Sequence, residues 1–449
     1  MNVTDRTAGG DRVPGWTRRW SAARGPVSGN LLARVLALAA LTLSTLLIAR
    51  TAGAEGVAAL SLLRLLPWLF GLVLGGGLYG AAPYFLSGAG RSQPAYRATF
   101  PAIAVAAGVV GAGTWVALAR VLHHAFFPQV ATAVVAAAAV TVATQLLETT
   151  AKACSQGVGD LTGSNRIIVL EELLFLPLYL GLTAAGAGHY TAMVAALALG
   201  DLLDAGQGWL RLIRRGFFAG GRPSLACAWA IVSYGTRAEL SSVALLLNAR
   251  LDFAIVASIA GPAQLGIYAV ASRYAELLRL PGLAMNYVLY PAYAAQERFA
   301  AWTATRAALR RMAWAPAAMA LPMAAAAALV LPGIFGAAFR PAVVPAWVLL
   351  VGLAGGGVTG IVSAYLYAIG RPGVVSAAQG LGVVLTVALD LTLIPRYRIT
   401  GAAVASTVAY LATAALLLAI FHPLRSAPDL GGRATTAEQS PHPAEEALT

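Results

Sequence analysis

Twelve predominantly apolar runs, most of them about 20 residues long, fill the chain between Asn30 and Phe421. They cover residues 30–49, 57–86, 99–120, 129–151, 166–186, 190–210, 227–250, 267–293, 312–331, 343–369, 373–394 and 401–421. A helix of about 20 residues crosses the hydrocarbon core of a bilayer while satisfying its own backbone polar groups, so each run reads as a transmembrane helix. With 59% hydrophobic and 11% charged residues, the chain has too little polar surface to cover a water-soluble globule of its length. The fold class that follows is an all-α integral membrane protein.

Charge placement sets the expected topology. Arg18, Arg19, Arg211, Arg214, Arg215, Arg310 and Arg311 fall in segments on one side of the membrane, and Arg50, Arg120, Arg250, Arg340, Arg396 and Arg398 on the other. The first side carries the larger share of all Lys and Arg, which predicts that it is cytoplasmic and that both termini lie there. The run from Leu31 to Ala49 is longer than a signal-peptide core and is followed by further spans, which predicts an uncleaved first helix. The formal charge of +13 does not indicate a nucleic-acid partner, because no soluble domain presents a basic face with interleaved aromatics. Cys154 and Cys227 have no His or Cys at metal-ligand spacing, so neither a metal site nor a cofactor is expected. Residues 426–449, rich in Pro, Ala, Thr and Glu, predict a disordered tail.

The basic loop RLIRRGFFAGGRP at 211–223 separates six runs from six. A shift of 208 positions lays Gly53 on Gly261, Tyr79 on Tyr287 and Pro83 on Pro291, and brings Arg64 within one residue of Arg273. Duplicated halves of this kind place transporter substrates between the repeats near the midplane. The expected organisation is a tail at 1–27, spans 1–6 at 28–215, spans 7–12 at 216–425 and a tail at 426–449.

Arg34, Arg64, Arg237, Arg273 and Arg279 fall within the spans. A guanidinium at the bilayer centre costs roughly 2.5 to 3.5 kcal/mol on insertion scales, so these residues are expected to face water, acids or the bundle interior. Ser233, Arg237, Ser241, Asn248 and Asp252 recur at helical spacing in span seven, and Tyr268, Ser272, Glu276 and Arg279 in span eight, with Arg273 beside them. Two readings stand. Glu276 can bridge Arg273 and Arg279 as a buried structural group, or the arginines can meet a ligand. Glu148, Glu171, Glu172, Asp201, Asp204, Glu239 and Asp390 are candidates for coupling an ion or proton. Gly71, Gly75, Gly76, Gly77 and Gly80, with Pro67 and Pro83, make span two a candidate for bending, as Gly355 to Gly357 do for span ten.

The stretches IARTAGAEGVAALSLLR, LDFAIVASIAGPAQLGIYAVASRYAELLRLPGLAMNYVLYPAYA and IPRYRITGAAVASTVAYL resemble the first loop, the seventh-to-eighth span signature and the eleventh-to-twelfth junction of bacterial polysaccharide flippases. That family lies in the multidrug, oligosaccharidyl-lipid and polysaccharide exporter superfamily, and the resemblance covers nearly all of residues 28–423. It implies two pseudo-symmetric six-helix lobes around a central cavity and alternating access between inward and outward states. It also implies flipping of a polyprenyl-diphosphate-linked oligosaccharide across the cytoplasmic membrane, without covalent chemistry, beside polymerase and ligase partners. Arg34, Arg64 and Arg273 sit in spans comparable to those whose arginines line the cavity in relatives.

Arg suits a diphosphate because its charge is permanent and its planar fork matches phosphate oxygens. Spans one, two and eight hold Arg34, Arg64, Arg273 and Arg279 against Glu276, a positive surplus unless other helices supply acids. The candidate substrate-binding set is therefore Arg34, Arg64, Arg237, Arg273, Arg279, Asn248 and Tyr287. A drug or metabolite antiporter of the same superfamily is the alternative, and a membrane glycosyltransferase or polymerase a more remote one, since no catalytic motif or large external loop is present.

Overall fold

A computed structural model of the protein describes residues 15–87, 93–218, 220–279, 298–312, 314–369 and 371–426. The described residues are overwhelmingly helical and contain no strand. The expected runs coincide with helices or broken helices, the eighth being described as far as Arg279. Eight helical stretches among the described residues are long and apolar enough to cross a membrane, and the protein is a multi-pass membrane protein.

The N-terminal half begins with α1 (Gly15–Thr51) and α2 (Gly53–Leu74). Gly53 joins them at φ 66°, a left-handed conformation that favours glycine. Span two is broken: α2 stops before Gly75–Gly77, and α3 (Leu78–Leu86) restarts behind Gly76 at φ 59° and Gly77 at φ 79°. The glycine cluster thus ends a helix and starts another. The half continues through α4 (Pro94–Phe126), α5 (Thr132–Ala137), α6 (Ala139–Gly157), α7 (Leu161–Leu173), α8 (Phe175–Ala184) and α9 (His189–Arg214). Helix α6 packs on α2, α3, α4, α7 and α9, which places its polar residues at the centre of the half.

The C-terminal half opens with α10 (Leu225–Ala260), whose 36 residues extend about 54 Å at 1.5 Å per residue. The turn after it lies at Gly261, φ 89°, and α11 (Pro262–Glu276) follows, running into a 3-10 turn at Leu277–Arg279. The sequence reading ended span seven at Arg250 and put that arginine in an external loop. In the structure α10 continues past Arg250 for ten residues, because Leu251, Phe253, Ile255 and Val256 keep the helix apolar. The Gly53 to Gly261 correspondence is retained: both sit at the turn between the first two helices of their half.

Later helices are α12 (Arg298–Met312), α13 (Trp314–Val330), α14 (Val343–Gly356), α15 (Val358–Ala368) and α16 (Pro372–Phe421). Span ten breaks at Gly357, between α14 and α15. The last two spans form one helical run with a non-helical residue at Arg398, φ 49°, three positions after Pro395.

The halves meet where α2 lies against α11 and α3 against α10. At the second crossing Gly77 and Gly235 are in backbone contact, and a Cβ on Gly77 would overlap Gly235. At the α1–α2 end, Arg50 donates to the carbonyls of Gly333 (2.9 Å) and Ile334 (2.8 Å from Nε), tying α1 to the turn that follows α13.

Candidate functional site

A cavity of about 200 Å³ opens between the halves. Arg64 and Trp68 on α2, Gln145 and Glu148 on α6, Glu171 and Glu172 on α7, and Asp201 on α9 form one wall. Arg250 and Phe253 on α10 and Arg273 on α11 form the facing wall. Helical spacing explains the grouping: Arg64 and Trp68, and Gln145 and Glu148, stand three or four residues apart on one face of their helices. Arg64 and Arg273, the pair related by the internal repeat, both reach this chamber.

Each cation is held differently. Arg64 Nη1 is ion-paired with Glu172, and its guanidinium stands 5.3 Å from the centroid of the Phe175 ring. Its Nε and Nη2 are buried without a hydrogen-bond partner among the described residues. Arg250 makes a two-pronged pair with Glu276, Nη1 to Oε1 at 3.0 Å and Nη2 to Oε2 at 3.1 Å. Arg273 has no carboxylate within ion-pair distance among the described residues. Instead it donates across the interface to the hydroxyls of Thr45 on α1 and, at 3.4 Å, Ser61 on α2. Neutral hydroxyls do not cancel its charge. In a low-dielectric setting such a cation is costly unless an anion arrives.

The acids are equally specific. Lys152 Nζ donates to Glu171 at 2.8 Å and to Glu148 at 3.2 Å, so two carboxylates share one ammonium. Asp201, buried, accepts from the Thr144 hydroxyl at 3.2 Å. Gln145 Oε1 has no partner among the described residues, although the residue is only 9% exposed. Deeper in the C-terminal half, Asp252 accepts from the hydroxyls of Tyr268 (2.5 Å) and Ser406 (3.3 Å), while both carboxylate oxygens of fully buried Asp390 lack partners among the described residues. The acids of the cavity are carried on α7 in part, and α7 is fixed outside the span by Asp160. That side chain accepts from the Gly163 N–H at the helix start and pairs with Arg211 at 2.5 Å, which holds its carboxyl below the usual range.

The structure brings Arg64 and Arg273 together and leaves other candidates elsewhere. Arg34 donates to Asn30 at 3.0 Å on its own helix and is not on the cavity wall. Arg279 stands over the Tyr410 ring at 5.6 Å, also off the wall. Tyr287 lies outside the described residues, as do the side chains of Arg237 and Asn248. Glu276 does not bridge Arg273 and Arg279; it takes Arg250. The inferred positive surplus also fails: Glu172, Glu148, Glu171 and Asp201 come from α6, α7 and α9, helices left out of that count. Sequence reasoning missed Arg250, Trp68 and Gln145 as wall residues. The i, i+4 spacing of Arg64 and Trp68 was the available signal for one of them.

In a comparison with solved structures, the chain is similar to a lipid II flippase MurJ in an inward closed conformation: TM-score 0.73, 13% identity, covering 88% of this chain and 89% of that one. It is also similar to an inward-facing multidrug resistance MATE family transporter (TM-score 0.68, 17% identity, 88% and 96% covered). A third similar structure is a superfamily transporter from Pyrococcus furiosus described as having a binding pocket of reverse polarity (TM-score 0.62, 15% identity, 89% and 95% covered). At these identities the likeness shows the fold alone, the one these transporters share. A comparison with curated sequences found no match. The model of the family described as "Polysaccharide biosynthesis protein" matches residues 92–344, more than half of the chain, and the protein belongs to that family.

Proposed function

We propose that the protein flips a polyprenyl-diphosphate-linked oligosaccharide from the cytoplasmic to the outer leaflet by alternating access. The observation that carries this is Arg273: a guanidinium in the chamber between the halves, facing Arg64 with its spare N–H groups, and joined to the opposite half, among the described residues, through hydroxyls alone. A diphosphate would replace those weak acceptors with charged ones. The lipid tail would stay in the bilayer, and the cavity has the volume of about one sugar ring, so the rest of the glycan would extend toward solvent.

The two halves, 28–215 and 216–425, act as lobes that rock about the α2–α11 and α3–α10 contacts. Cargo shifts the balance between the two packings by its differential affinity for them. Transport of this kind requires no catalysis by the protein. The reading places the protein in the inner membrane with both termini cytoplasmic, beside a polysaccharide polymerase and ligase. The expected cellular result is accumulation of lipid-linked oligosaccharide on the cytoplasmic leaflet after depletion of the protein; unchanged levels would count against it.

A drug or metabolite antiporter is the second reading, favoured by the acids Glu148, Glu171, Glu172 and Asp201 on the wall. Efflux of an organic cation, with no effect on lipid-linked intermediates, would select it.

A further inference from the structure

The cavity has two chemically opposite walls, and the flippase reading uses one of them. The C-terminal wall offers Arg273, beside Arg250, which Glu276 already holds. On the other, Glu172 is matched by Arg64, and Glu148 and Glu171 share Lys152, which leaves one of those carboxylates and Asp201 without a cation among the described residues. Gln145 adds an independent sign. Its Oε1 is an acceptor on the cavity wall, more than nine-tenths buried, with nothing among the described residues donating to it. Buried acceptors of this kind are costly until a donor reaches them. Trp68 lines the same wall; an aromatic ring can pack against the apolar face of a sugar ring and attracts a nearby cation.

We infer that the cargo is zwitterionic at its membrane-proximal end: a sugar bearing a protonated free amino group, with its ammonium on the Gln145, Glu148 and Asp201 wall and its phosphates on the wall that carries Arg273. The inference rests on the flippase reading and narrows its substrate class. A neutral N-acetylated sugar would satisfy Gln145 with one N–H but would bring no charge to the acids. An ammonium brings both, with three donors for the surrounding oxygens. The cation and the anion are then separated across one sugar ring, which matches a chamber of this size.

The test compares two synthetic cargoes in proteoliposomes containing the full-length protein: a polyprenyl diphosphate carrying glucosamine, and the same lipid carrying N-acetylglucosamine. The inference expects the amine-bearing lipid to flip at least tenfold faster. Asp201→Asn should remove that preference by slowing the amine-bearing lipid at least tenfold more than the N-acetyl lipid. Gln145→Glu, which adds a carboxylate, should enlarge the preference and remains informative if Asp201→Asn does not fold. Equal rates for the two lipids, or a faster N-acetyl lipid, would overturn the zwitterion inference and leave the flippase reading in place. Failure to flip either lipid would overturn both.

Discussion

The two walls of the central cavity are built on opposite principles. On the N-terminal side most of the charge is matched within the half: Arg64 meets Glu172, and Lys152 meets Glu148 and Glu171. On the C-terminal side Arg250 is matched by Glu276, but Arg273 reaches across to Thr45 and Ser61. A charge balanced inside its own half keeps its partner whether the halves are together or apart. Arg273 is different, because its partners leave with the other half. In the proposed mechanism separation would expose it to water or to cargo, and it would be the residue through which ligand charge and lobe position are linked.

The largest expected effect sharpens that contrast through the N-terminal pair. Glu172→Gln leaves Arg64 buried beside a neutral group, and breaking a pair of this kind costs about 3 to 5 kcal/mol. The pair is about 16% and 15% exposed, so the lower end applies. Thermal unfolding in detergent should register a clear loss. The double replacement Arg64→Met with Glu172→Leu should restore much of the stability while leaving flux impaired, which separates structure from transport. Full flux in the double variant would break the comparison by making the pair purely structural.

Gly77→Ala tests the contact proposed as the pivot between the halves. The residue has φ 79° and its added Cβ would meet the Gly235 backbone. The left-handed conformation alone costs about 1 to 2 kcal/mol for a residue with a side chain, and the overlap adds to it. Reduced stability and a wider separation between spin labels on α3 and α10 are expected; an unchanged distance distribution would show that this crossing does not set the interface.

Asp160→Ala carries the smallest effect. Loss of an N-cap costs about 1 kcal/mol, and here it also frees α7, which carries Glu171 and Glu172, from Arg211. Because Arg211 and the Gly163 N–H hold the Asp160 carboxyl below its usual value, the sign is fixed. The contribution is present above the unfolded carboxylate range and is lost as pH falls through the depressed folded value. Stability of the wild type should therefore decline at acid pH more steeply than that of the variant, and parallel curves would remove the ion pair from the account.

Much of the fold was legible because the bilayer restricts backbone choice to helices and makes apolar length a direct signal. Gly53 and Gly261 were matched by the internal repeat and both lie at turns of positive φ, and the glycines and prolines of span two marked it as a candidate for bending, which the break at Gly75–Gly77 bears out. Arg250 was misplaced for a physical reason: one charge in a long apolar run reads as a boundary, yet Glu276 on the next helix neutralises it inside the bundle. The convergence of Arg64 and Arg273 was legible through the repeat. Which carboxylates oppose them was not, because Glu172 lies 108 residues from Arg64 and pairings across helices leave no periodic trace in the sequence.

The central claim is that Arg273 exchanges hydroxyls of the opposite half for the phosphates of the cargo. The most direct measurement is flipping of a polyprenyl-diphosphate-linked sugar in proteoliposomes by wild type, Arg273→Lys and Arg273→Ala. Loss of charged hydrogen bonds worth about 1.5 to 3 kcal/mol predicts a fall of roughly ten- to a hundredfold in the alanine variant, with partial activity retained by lysine. Wild-type flux in Arg273→Ala, with the protein inserted and folded, would contradict the account.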